Sequence, residues 1–257
     1  MPNHITNHLY ISGEEQEVQE CIKRLFNNGK NTRGSGEYIE VECIDFNSIA
    51  SMPECLAAET SSGYLNNLVF ALYGLYKKTF KVQLQGDLKR FFKILSFHRK
   101  SQVFLLKEIG LEDEEIRKKF IELDNEDFEK VLEYIKYIDS TGYFSWYEWS
   151  INNWGTKWNA YHSNHEKGTN LIEFDTAWSC PMSFIEKLSE VYPKLGFEIH
   201  YIDEDCYSNN WGVHFYKNGE FDYSLEETEK NKKSVCFDLL GIDLDDPEDD
   251  EEVEEDK

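Results

Sequence analysis

A chain of 257 residues, 40% hydrophobic and 15% aromatic, is long enough to bury a sizeable core in one large domain or two small ones. No apolar run reaches the length of a bilayer span, and the opening Met-Pro-Asn-His-Ile-Thr-Asn lacks a basic stretch followed by an apolar one, so neither an anchor nor a secretion signal is expected. The formal charge of −23 sets phosphate backbones at a disadvantage and favours basic protein partners, including nucleases whose grooves normally hold nucleic acid. Six widely spaced cysteines without a CxxC predict reduced thiols rather than a disulfide framework or a zinc site, in keeping with a cytoplasmic location.

The elements can be read in chain order. Residues 4–12 alternate loosely and predict a strand. Ser12 and Glu15 have capping-box spacing, and Val18, Cys21, Ile22, Leu25 and Phe26 make a helical stripe, predicting a helix over 14–27. Residues 27–36 form a polar, glycine-rich loop, and 38–46 predict a short strand. From about 64 to 140 the period turns helical. Leu68, Val69, Leu72 and Leu75 or Tyr76 form one stripe, and Leu88, Phe91, Phe92 and Leu95 a second, with Asp87 placed to cap it. Phe128, Val131, Leu132, Ile135 and Ile138 form another, capped by Asn125 and ending near Gly142. Lys89, Arg90, Lys93, Arg99 and Lys100 make the clearly basic stretch of the chain, read as the charged outer face of an amphipathic helix.

Beyond Gly142, Tyr147, Trp149 and Ile151 alternate as a strand, and Leu171–Ala177 is another. Pro181 suits the first turn of a helix carrying Met182, Ile185, Leu188 and Val191. Phe197, Ile199 and Tyr201 predict a strand, as do Trp211, Val213 and Phe215, and Asn218-Gly219 is a hairpin turn before Phe221 and Tyr223. Residues 243–257 hold eleven acids and one lysine, an acidic tail with almost nothing to bury, and leave about −13 on the rest of the chain. The plan is β-α, helical insertion, β-β-α-β-β. Without the insertion this is close to an α+β, ferredoxin-like sandwich, with helices on one face of an antiparallel sheet. The expected division is 1–63 and 142–238 for the sandwich, 64–141 for the insertion and 239–257 for the tail.

Five of the six tryptophans fall between Trp146 and Trp178. The turn Asn153-Trp154-Gly155-Thr156-Lys157-Trp158-Asn159 could present a ledge of Trp154 and Trp158 around Lys157, with Asn153, Thr156 and Asn159 supplying hydrogen bonds to a base or a protein. The competing and commoner arrangement buries Trp149, Trp154 and Trp178 in the core, with Gly155 permitting the turn. His162 and His165, with Asp175, Asp203, Glu204 or Asp205, could supply metal ligands, and with Asp45, Asp175 and Glu204 acid–base groups, but His162–His165 sits in a polar stretch that reads as a loop. Cys180, just before Pro181, lies at a helix start where a dipole would favour its thiolate, although a buried thiol is the commoner state. Neither a phosphate-binding loop nor a nucleophile elbow is present, and no cofactor is expected.

Three segments together resemble the YubB-like, ferredoxin-like proteins of phages, plasmids and other mobile elements. They are Met1–Asn7 leading to Leu9 and Ser12-Gly13; Ile44-Asp45-Phe46-Asn47-Ser48-Ile49 with Met52-Pro53-Glu54; and Asn152–Asn159 with Phe174–Ser179 and Pro181. The resemblance spans roughly half the chain and implies the fold and a mobile-element origin, and it says little about mechanism. Ala50-Ser51 departs from its more apolar pattern, and the helical middle and tail lie outside it. The function expected is a non-enzymatic binding protein in the host cytoplasm. It would dock on a host protein such as a basic nuclease or defence complex, through Asn153, Trp154, Thr156, Lys157, Trp158, Asn159, Asp175, Trp178 and Glu204. A nucleic-acid-binding module and a metal-dependent enzyme using the His162/His165 region are the alternatives.

Overall fold

The computed structural model describes residues 3–26, 43–57, 66–79, 87–99, 114–143 and 145–245. The chain divides into two compact units, Met1–Ser51 with Ser150–Lys257, and Met52–Trp149. The first begins with β1 (His4–Ser12), α1 (Glu15–Phe26) and a 3-10 turn at Phe46–Ser48. The second holds α2 (Glu54–Ala57), α3 (Asn66–Thr79), α4 (Asp87–Arg99), α5 (Glu114–Glu122) and α6 (Asn125–Thr141). The boundary falls within α7 (Trp146–Asn153). The first unit then resumes with β2 (Tyr161–Asn164), β3 (Leu171–Ala177), α8 (Met182–Val191), β4 (Gly196–Asp203), β5 (Trp211–Lys217), β6 (Glu220–Ser224) and α9 (Glu229–Leu240).

The six strands form one antiparallel sheet in the order β2-β3-β1-β4-β5-β6. Its first four strands, with α1 and α8, have the βαββαβ order of a ferredoxin-like sandwich. β5 and β6 extend that sheet as a meander past β4. In β1 every second residue, Ile5, Asn7, Leu9 and Ile11, is fully buried. A period of two puts these on one face, and the paired positions Phe174 and Ile199 share it. α1 and α8 lie beside each other on this inner side. Lys194 pairs with Glu17 at 2.7 Å, and Arg24 sits over the Tyr192 ring at 5.9 Å. At the β5–β6 turn, Asn218 and Gly219 both take positive φ, 52° and 76°, the arrangement that Asn-Gly favours in tight hairpins.

Several expected elements differ. Tyr147, Trp149 and Ile151 belong to α7, not to a strand. Apart from Glu148, the buried or half-buried set is Trp146, Trp149, Ser150, Asn153 and Trp154, which has helical spacing. Ser145 and Glu148 start it, with the Glu148 amide donating to Ser145 Oγ at 3.2 Å. The true β2 is Tyr161–Asn164, inside the stretch expected as a loop. Of the strand expected at 38–46, residues 38–42 lie outside the described residues, as does the glycine-rich loop, and Phe46–Ser48 is a 3-10 turn. The helices are not confined to one face. α9 packs Val235 and Cys236 against Ile202, Trp211 and Val213 on the outer side, with Leu239, Leu240, Ile242 and Leu244 around them. Thr228 caps its start and Gly241, at φ 72°, its end. Residues 246–257 lie outside the described residues.

In the helical unit, Leu68, Val69, Leu72, Tyr76, Phe91, Leu95, Phe120, Val131 and Ile135 share one core. Lys89, Arg90 and Lys93 are exposed on α4, while the Arg99 side chain and Lys100 lie outside the described residues. α6 is capped by Asp124 rather than Asn125: the Asp127 amide donates to Asp124 Oδ1 at 2.8 Å. Gly142 ends that helix in the left-handed conformation. Asp124→Ala removes the acceptor for an orphan helical amide and should cost the helical unit about 1 kcal/mol. A lowered urea midpoint by far-UV circular dichroism is the expected outcome, and Asn125→Ala should have the smaller effect.

Candidate binding site

The segment Asp45–Ala50 anchors the Trp-rich turn. Asn159 Oδ1 accepts from the Phe46 amide at 2.9 Å and from the Ala160 amide at 3.0 Å, while its Nδ2 donates to Asp45 Oδ1 at 2.7 Å. Trp154 is 4% exposed, and its indole N–H donates to the Ala50 carbonyl at 2.9 Å. Phe46 stacks on Phe184 at 4.1 Å and meets Trp154 and Phe174 edge-on. Trp154 is therefore a core residue, which corrects the expected Trp154–Trp158 ledge. A large ring with a satisfied N–H gains more from this core than from solvent.

The turn is then tied to the loop after β3. Thr156, fully buried, donates to the Ala177 carbonyl at 2.9 Å, and Ser179 Oγ donates to the Gly155 carbonyl at 2.7 Å. Thr176 Oγ1 donates to the Ser179 carbonyl and accepts from Asn7 Nδ2 in the core. Asn153 accepts from Lys187 Nζ at 2.6 Å on α8. Lys157 Nζ lies 4.8 Å over the Trp158 ring, so a cation already occupies one face of that 39% exposed indole.

Trp178 has the opposite environment. It is 50% exposed, yet its backbone sits at φ 71°, which a bulky residue rarely adopts. Hydrogen bonds hold it there. Its amide donates to the Asn3 carbonyl at 3.0 Å, and its carbonyl accepts from Asn210 Nδ2 at 3.2 Å. Buried Asp203 ties both partners together, accepting from Asn3 Nδ2, Asn210 Nδ2 and the Asp205 amide. Glu204 accepts from the His4 amide at 3.0 Å on the same rim. An exposed indole beside an acidic loop is thus fixed in a strained, over-determined position.

The residues expected to support acid–base or metal chemistry do not converge. His162 Nδ1 pairs with Asp175 at 2.9 Å, but His165 Nδ1 turns to the Leu171 carbonyl, Asp45 holds Asn47 and Asn159, and Glu204 holds His4. Among the described residues no group of three or more His, Cys, Asp or Glu stands close enough to hold a metal ion. His162 is reached through a bulge in β2, at φ 49°. Cys180 is buried, and burial pushes its thiol well above the ordinary range, so desolvation overrides the helix dipole there. Sequence reasoning missed the Asn210–Asp203–Asn3 clamp on Trp178. Asn3 stands 200 residues before Asp203 in the chain and reaches it only because β1 and β4 pair, while Asn210 lies seven residues beyond Asp203.

Residues 157–254 match the family model described as the ferredoxin-like domain in Api92-like protein. The ferredoxin-like fold is found in this match and in the strand order alike. A crystal structure of a protein api92 from Yersinia pseudotuberculosis is similar over 89% of this chain and 99% of that one, at 14% identity and a TM-score of 0.36. No curated protein matches the chain. No helix among the described residues is long and apolar enough to cross a membrane.

Two tests follow from this geometry. Gly155 has φ 82°, and a Cβ there would stand 3.0 Å from the Met182 and Ser183 nitrogens. Gly155→Ala should destabilise the sandwich by roughly 2 kcal/mol or more, seen as a lowered urea midpoint. Burial lowers the pKa values of His8 and His214 below the usual 6.5; Glu173 opposes this at His8 and Glu227 at His214. The unfolded chain then takes up more protons than the folded one as pH falls. Their contribution is complete above about pH 6.5 and is lost as pH drops through the folded values. Among the described residues His214 Nδ1 has no hydrogen-bond partner, and the ring contacts Tyr201 and Phe221. His214→Phe should keep those contacts and make the acid fall in the urea midpoint shallower.

Proposed function

We propose that this protein is a non-enzymatic binding protein that docks on a basic protein partner, with Trp178 as its anchor. The observation that carries this reading is the half-exposed indole held at positive φ by the Asn3–Asp203–Asn210 clamp beside the acidic Asp203–Asp205 loop. Rigid exposed tryptophans bind at small entropic cost and are the residue type most enriched in interface hot spots. The net charge of −23 supports a basic partner surface. The YubB-like segments support a phage, plasmid or other mobile-element origin, and with it a host protein as the partner. A nuclease or defence component with a basic groove fits that chemistry, and covering the groove would inhibit it. Six cysteines, none of them in a disulfide, suit action in the host cytoplasm.

The test is an affinity capture from nuclease-treated host lysate at physiological salt, followed by titration of the captured protein. Trp178→Gly removes the ring while accepting the same φ, so the fold should hold and affinity should drop at least about tenfold. No protein partner at that salt, or full affinity in the glycine variant, would overturn the reading.

A further inference from the structure

The two edges of the sheet are built differently. β2 is four residues long, bulged, and holds His162 in the left-handed region, so it is a poor template for another strand. β6 also has a register shift in its pairing with β5, but it is five residues long, none of them takes a positive φ, and all five are exposed. It carries no proline and no lysine, and among the described residues no strand pairs with its other side. From this contrast we infer that β6 is a docking edge that takes an extended basic segment of a partner protein as a seventh strand. The inference rests on the proposal that this protein binds a basic protein partner.

The surroundings of the edge specify the occupant. Glu220 and Asp222 lie on β6 itself. On its inner side Glu190 approaches the turn, where a Cβ on Gly219 would stand 2.5 Å from Glu190 Cγ, and Glu227 acts on the His214 ring. On the outer side Glu198 accepts from the Tyr223 hydroxyl at 3.4 Å. Lys217, paired with Glu220, is the cation at the turn end. Phe221 is 52% exposed and packs against His214 and Tyr216, while Tyr223 is 49% exposed and stacks on Phe215 at 5.3 Å. An added strand would therefore lay its alternate side chains over aromatic surface and carboxylates on both faces. Lysine or arginine stems cover such rings while their charges meet the acids. A second copy of this chain fits poorly, because it would set Glu220 and Asp222 against like charges.

The probe is a synthetic peptide of alternating lysine and valine, added to the full-length protein, with amide hydrogen exchange as the readout. The expected result is slowing of about tenfold or more at every second amide of residues 220–224, where the free edge becomes paired. A peptide of equal charge with proline in place of valine keeps only its lysine amides as donors and is disfavoured as a strand, so it should slow these amides far less. Glu220→Lys with Asp222→Lys should abolish the slowing while exchange in β1 and β4 stays as it was. Equal slowing by the proline peptide, or none with the valine peptide, overturns the inference. If the captured partner binds the charge-reversed protein with unchanged affinity but still needs Trp178, the edge inference falls and the binding function stands. If no partner exists but the valine peptide protects β6, the function falls and the edge stands.

Discussion

The burial of Phe46 is the constraint on which the sandwich unit depends. It brings β3, α8 and the Trp154 turn together through Phe174, Phe184 and Trp154. A ring at such a junction can be fully buried only if the backbone beside it finds partners. Asn159 provides for the Phe46 amide, the Leu25 carbonyl for the Asp45 amide, and Trp154 for the Ala50 carbonyl. The aromatic packing and the polar clasp are thus one device. Weakening either would loosen the turn at 154–159 and the loop carrying Trp178.

That device explains how one tryptophan-rich stretch yields side chains of opposite character. Trp154 is consumed by the core, and Trp158 is capped by Lys157. Trp178 is held outward because Thr156, Ser179 and Asn210 fix the chain on both sides of it. The strain of its positive φ is sustained by a buried carboxylate, Asp203, whose oxygens accept side-chain and backbone donors from three stretches of chain. Rigidity at an exposed aromatic is the property that binding surfaces use, since little entropy remains to be lost on association.

Legibility in the sequence followed the range of the interactions. β1, α1, β3, α8 and β4 are local amphipathic patterns and were readable, as were the Asn218-Gly219 turn and the Gly142 stop. α7 was misread because Tyr147, Trp149 and Ile151 mimic a strand, while the Ser145–Glu148 cap that decides for helix is a weaker signal. β2 was hidden because Tyr161–Asn164 has no apolar run and exists as a strand only through its pairing with β3. α9 was not legible because its apolar buried residues crowd into its second half and run into the acidic stretch.

The sequence by itself determined the α+β order, the helical insertion, the acidic balance and the ferredoxin-like plan. These follow from periodicity, turn chemistry and composition, which act over a few residues. Only the tertiary structure decided which tryptophan faces solvent, which face α9 covers and which strands end the sheet. Each of those depends on partners far away in the chain, such as Asn3 with Asp203, or Ile202 and Trp211 with Val235. No local pattern encodes such a meeting, because it exists only once the strands have paired.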